Sequence, residues 1–165
     1  MTRPQRCWNH RLLNVLDALP KRLHPEATSL LNALPYAETQ AACERLRDQF
    51  SRRYRALAPQ AVERLHHDWE RLVTLYQFPK KHGRHLRTTN VVESPFAAVR
   101  LRTTAGKRFK RVEAATALIW KILQVAEQTF RRLNAPEFLL PVYAGVPFVD
   151  GKKQRFEVLP QEVAA

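Results

Sequence analysis

The sequence predicts a mainly α-helical protein, and three observations lead there. Only four of the 165 residues are glycine, which disfavours a turn-rich β fold. Leu, Ala, Arg and Glu, all good helix formers, are abundant. Apolar residues recur at intervals of three and four along most of the chain. A hydrophobic fraction of 45% is enough to build a core, and the length suits one ordinary domain or two small ones.

Leu12, Leu13, Val15, Leu16 and Leu19 form a first helical stripe that Pro20 stops. Pro25 suits the first turn of a second helix running to about Leu34, closed by Pro35. A longer helix is expected over residues 37–57, with Ala42, Leu46, Phe50, Tyr54 and Leu57 inward and Arg45, Arg52 and Arg53 outward. Pro59 opens the next, in which Val62, Leu65, Trp69, Leu72 and Tyr76 keep the spacing throughout. So short a break predicts an antiparallel hairpin, with the aromatics as core and His66-His67 split between the hairpin and solvent. A last long helix is expected over residues 112–133, with Arg131, Arg132 and Asn134 suited to its negative end. Pro141, Gly145 and Pro147 break the apolar run after Leu139, so that tail reads as extended, with a short strand or coil near Phe156 to Leu159.

The formal net charge is +13 and the pI about 10.6. Such a surplus draws a protein to polyanions and makes the binding depend on salt, so nucleic acid is the expected partner. No run approaches the ~20 apolar residues of a membrane span. The polar, basic first eleven residues do not read as a signal peptide, so a cytoplasmic location is expected. Two cysteines, Cys7 and Cys43, are too few for a disulfide scaffold and should be free thiols. Cys7 and His10 could form half of a zinc site, but Cys43 and His24 stand at no recognisable spacing to complete it. No glycine-rich phosphate loop or nucleophilic triad is present.

Between Lys80 and Arg111 lie ten cations, including Arg84, Arg87, Arg100, Arg102, Lys107 and Arg108, and a single acid, Glu93. Those six are the candidate phosphate contacts; a guanidinium can grip phosphate with two hydrogen bonds. His82 and His85 flank the segment, either as phosphate contacts or as ordinary surface histidines. One carboxylate inside a phosphate-attracting stretch suits a divalent metal such as Mg2+ beside a DNA backbone. Two structural readings stay open beside that one. Asn90 and Glu93 have the spacing of a helix capping box. Alternatively, Ser94 caps a helix that starts at Pro95, leaving Glu93 just ahead of it.

The stretch His85-Leu86-Arg87-Thr88-Thr89-Asn90-Val91-Val92-Glu93-Ser94, followed by Phe96, Val99, Arg100, Arg102 and Thr103, resembles the signature around the last acidic residue of Mutator-type transposases of bacterial insertion sequences. Cys7 and His10, with Asn14 behind them, resemble that family's Cys-x-x-His motif; Tyr76 and Phe78-Pro79 resemble the segment before the acidic motif. Phe130-Arg131-Arg132-Leu133-Asn134 and Gly145-Val146-Pro147-Phe148-Val149-Asp150-Gly151 resemble its carboxy-terminal end, with Phe130 where many members carry Trp.

The resemblance implies a ribonuclease H-like core in which two Asp and one Glu hold divalent metal, Mg2+, for DNA cleavage and strand transfer. Glu93 maps onto the Glu, as catalytic residue and metal ligand, with Cys7, His10 and Asn90 as motif residues. It further implies that residues 1–10 are a remnant of the core carrying the Cys-x-x-His motif. Residues 11–78 would be an all-helical insertion, 79–138 the Glu-bearing basic segment and closing helix, and 139–165 an extended tail. Both family aspartates precede the Cys-x-x-His motif, whereas Asp17, Asp48, Asp68 and Asp150 follow it. One carboxylate cannot hold two metal ions. The expectation is therefore a truncated piece that binds DNA without cutting it, with pairing to itself or to an intact transposase as further partners. Its rivals are a small basic nucleic-acid-binding protein and a fragment that inhibits the intact enzyme.

Overall fold

The computed structural model describes residues 4–130 and 132–154, and the chain is mainly helical. Helix α1 (Trp8–Leu16) turns Trp8, Leu12 and Val15 inward. Helix α2 (His24–Ala33) takes Pro25 in its first turn, where no amide is needed, and a 3-10 turn over Leu34–Tyr36 absorbs Pro35. Helix α3 (Gln40–Tyr54) is capped by Thr39, whose hydroxyl accepts the Ala42 amide at 3.1 Å. It is shorter than the expected 37–57 at both ends. Ala58, preceding Pro59, is forced into extended backbone at φ −153°, so the helix has unwound by then and Leu57 faces solvent.

The single helix expected after Pro59 is two. Helix α4 (Pro59–His66) ends, Asp68 takes the left-handed φ of 55°, and α5 (Trp69–Val73) starts again before a 3-10 turn over Thr74–Gln77. Asp68 tolerates that backbone because its carboxylate faces Arg6 at 2.5 Å and Arg11 at 3.9 Å. The hairpin is present: His66 Nε2 lies 2.8 Å from Ser51 Oγ of α3, while His67 is turned to water. Helix α1 also packs on α4. One continuous core joins these helices, with Trp8, Phe50, Tyr54, Leu65 and Leu72 fully buried. The Trp8 indole donates to Leu72 O at 3.0 Å and meets Trp69 edge-on at 5.8 Å.

Beyond Phe78, the short α6 (Gly83–Leu86) leads to α7 (Asn90–Ala105). Neither expected start of α7 is found. Asn90 is already helical and Thr89 stands at the cap, its carbonyl accepting from Val92 and Glu93 at 2.9 and 3.0 Å. Pro95 therefore sits inside the helix, buried, and costs it one bond to the carbonyl of the exposed Val91. Helix α8 (Val112–Glu127) folds back on α7 as a hairpin. It stops six residues before the expected 133, since Thr129 caps the carbonyl of Ala126 through both its amide and its hydroxyl. Arg132 and Asn134 thus lie beyond its end, and Arg131 lies outside the described residues.

The tail is not simply extended. A 3-10 turn over Pro136–Phe138 runs into α9 (Leu139–Tyr143), where Pro141 falls in the first turn and breaks nothing. Gly145 at φ 77° closes α9: its amide bonds Val142 O at 3.1 Å and the Val146 amide bonds Pro141 O at 3.0 Å. Strands β1 (Phe148–Val149) and β2 (Lys152–Lys153) then pair across Asp150-Gly151. The hairpin is docked on the first helices, with Lys80 N to Gly151 O at 3.1 Å and Gln40 N to Asp150 Oδ1 at 2.7 Å. The strand expected near Phe156 to Leu159 lies outside the described residues. Among the described residues no helix is long and apolar enough to cross a membrane.

Candidate functional site

The amino ends of α1 and α7 meet. The Trp8 amide bonds Arg87 O at 2.8 Å and the Thr89 amide points at Cys7 Sγ at 3.4 Å, so segments far apart in sequence form one corner. His10, one turn beyond Cys7 on α1, brings Nε2 to 3.8 Å from Glu93 Oε1 on the first turn of α7. The Thr89 hydroxyl donates to the same carboxylate oxygen. Gln5, Arg6, Arg11 and Asn14 complete the walls of a cavity of about 310 Å³ around Cys7, His10, Thr89 and Glu93. The residues of the Cys-x-x-His spacing and the lone acid are thus neighbours.

Burial raises the Cys7 thiol, but hydrogen bonds from Thr89 and His10 outweigh it and bring the group down to about 7. His10 is raised in turn, first by its hydrogen bond to Cys7 and the thiolate charge, then by Glu93. The corner favours a thiolate beside an imidazolium. The described residues do not make a magnesium site by themselves. Glu93 is their one hard oxygen donor of full charge at the corner, its neighbours being a thiol and an imidazole. No group of three or more His, Cys, Asp or Glu among the described residues could hold a metal ion.

Two sets of basic residues contrast. Arg6, Arg11, Arg47, Arg53 and Arg64 are taken up by carboxylates or backbone carbonyls of the first helices. Arg87 is anchored in part: its Nε donates to Pro35 O at 2.6 Å and its guanidinium stacks over Tyr36 at 4.9 Å. Arg84, Arg100, Arg102, Lys107 and Arg108 are exposed and have no ion-pair or hydrogen-bonding side-chain partner among the described residues. Seven residues make nearly two whole turns, so Arg100 shares the Glu93 side of α7, about 10 Å along it. Arg102 falls on the opposite side by the same rotation. Asn90 is exposed on the first turn beside the corner. His82 is buried, its Nε2 at 3.1 Å from Ala135 O, and His85 accepts the Asn134 amide at 3.0 Å. Both hold the tail and neither faces a phosphate path.

Sequence reasoning passes over Asp68, which gathers Arg6, Arg11 and Arg71 at the edge of the cavity. Its signal was weak: a polar pair interrupting an apolar stripe that continues on both sides.

The description "Transposase, Mutator family" matches residues 1–132. The chain is 42% identical over 150 residues to the transposase for insertion sequence element IST2 of Acidithiobacillus ferrooxidans, covering 91% of this chain and 51% of that protein. It is 38% identical over 155 residues to the transposase for insertion sequence element IS6120 of Mycolicibacterium smegmatis, covering 92% of this chain and 47% of that protein. The chain therefore spans about half the length of these relatives. No solved structure matches it. With its acid, its Cys-x-x-His corner and its basic segment in one order, the chain belongs to the Mutator family of transposases.

Proposed function

We propose that this chain is the portion of an insertion-sequence transposase that grips DNA and contributes one carboxylate, Glu93, to a catalytic centre completed by groups outside it. Cleavage and strand transfer then belong to the assembled enzyme, with a core of ribonuclease H type, the helices of residues 11–78 as its insertion and Mg2+ as its metal. The metal would supply charge neutralisation and water activation at the phosphodiester. The single observation that carries the reading is the unpaired set Arg100, Lys107 and Arg108 on the same hairpin as Glu93. Paired arginines stabilise a fold; exposed unpaired cations along one hairpin are disposed to meet a polyanion.

The test is fluorescence anisotropy with duplex DNA over a salt series. Replacing Arg100, Lys107 and Arg108 together by Ala should weaken binding at least about tenfold at 100 mM salt. The slope of log K against log salt should also flatten by about 2.7, since each of the three phosphate contacts contributes about 0.9. An unchanged slope would remove this segment from the DNA surface. Glu93→Gln should leave affinity the same or slightly higher, because it deletes a negative charge facing the backbone.

A further inference from the structure

The turn that joins α7 to α8, residues 106–111, carries four cations: Lys107, Arg108, Lys110 and Arg111. All four are exposed and have no ion-pair or hydrogen-bonding side-chain partner among the described residues. No acid lies between Glu93 and Glu113 in the sequence to offset them. In their midst stands one large apolar residue, Phe109, which is 37% exposed. The backbone fixes its place. Lys107 takes the left-handed φ of 53°, its amide bonds Thr104 O at 3.2 Å, and the Arg108 amide bonds Gly106 O at 2.6 Å. The tip of the Phe109 ring then lies against Gly106, where a Cβ would come within 3.2 Å of Cζ. Glycine thus leaves room for a ring that is steadied on one side and open on the other. Gly106 stands thirteen residues beyond Glu93, about 20 Å along a helix. The turn is therefore separate from the corner of Cys7, His10 and Glu93.

We infer that Phe109 is a stacking platform for an unpaired base of DNA, with the cations on either side of it holding the flanking phosphates. This rests on the reading of the hairpin as a DNA surface and adds to it the form of DNA that is bound. Cations alone attract any duplex and give no role to an aromatic ring set among them. Two cations precede Phe109 and two follow it, matching the order in which phosphates flank a base along one strand. A paired base has little to gain from the ring. Opening a base step costs at least as much as one stacking contact returns, so a single phenylalanine does not unstack an intact duplex. A base already unpaired, in a bulge, gap or flap, carries no such cost. The turn should therefore discriminate between paired and unpaired DNA.

The test compares two short duplexes of one sequence, one fully paired and one with three unpaired thymines at its centre, by fluorescence anisotropy with the full chain. The bulged duplex should bind about tenfold tighter. That ratio should hold across a salt series while both affinities fall, because stacking releases no counterions. Phe109→Leu keeps an apolar side chain against Gly106 but removes the ring. It should erase the ratio and leave the melting temperature and the paired-duplex affinity unchanged, whereas Phe109→Trp should preserve the ratio. Equal binding of the two duplexes by the unaltered chain would overturn the inference. So would a preference that survives in Phe109→Leu, since a bulge that merely bends more easily keeps its advantage without the ring. The variant of Arg100, Lys107 and Arg108 separates the two claims. If its salt slope does not flatten, the DNA surface and the platform fall together; if it flattens and the bulge has no advantage, the platform alone falls.

Discussion

At Cys43 burial dominates and pushes the thiol up to about 11, whereas at Cys7 the bonds from Thr89 and His10 overcome burial and hold it near 7. Only thiolate reacts with an alkylating agent, so near neutral pH Cys7 should be modified by iodoacetamide more than about 100-fold faster than Cys43. Its rate should climb between about pH 6 and 8 and then level off, because the ionised fraction of a lowered thiol is complete above that range. Mass spectrometry of the labelled chain reads both sites, and equal labelling would contradict the corner as described. At this scale the sequence singled out candidate residues but not which ones meet. Cys7 and His10 are legible as a motif, while the Thr89 amide on the sulfur belongs to a segment more than eighty residues away. Arg87 shows the limit from the other side. Its Nε bonds the Pro35 carbonyl and its guanidinium lies over Tyr36, and nothing in the spacing of the sequence tells of either contact.

Helices were legible where proline and the apolar stripe agreed, as at α1 and α2. They were misread where the stripe ran on through a change of backbone. Val62 to Tyr76 keeps its spacing across the left-handed Asp68, because α5 resumes on nearly the same side of the core. Pro141 looked like a breaker and proved harmless, since a helix starting at Leu139 does not need that amide. The Asp150-Gly151 pair is a turn signal, but two-residue strands gave it no flanking pattern. Its glycine is required. A Cβ on Gly151 would lie 2.6 Å from Lys80 Cβ and 2.8 Å from its Cα and N, at a φ of 77° that other residues rarely adopt. Gly151→Ala should weaken docking of the hairpin by about 2 kcal/mol. Amide exchange at Lys80 should then be roughly 30-fold faster, with amides in the core near Leu65 unaffected. Unchanged protection at Lys80 would mean that the hairpin is not held through this contact.

Across the whole molecule, charge and apolar surface are distributed unequally. The first helices bury a continuous core, while the α7–α8 hairpin leaves both cations and large apolar residues uncovered. Composition announced the surplus of +13, and the fold leaves several of its exposed cations on the hairpin that carries Glu93. The same uneven distribution is what a protein shows when its active centre is shared with polypeptide outside the folded unit. The most direct test is a nicking assay on supercoiled plasmid with Mg2+ or Mn2+. The 165-residue chain alone should leave the plasmid intact, and the complex with the unmatched half of the IST2 relative should convert it to nicked circles unless Glu93 is changed to Gln. Nicking by the purified chain alone, abolished by Glu93→Gln, would contradict the account.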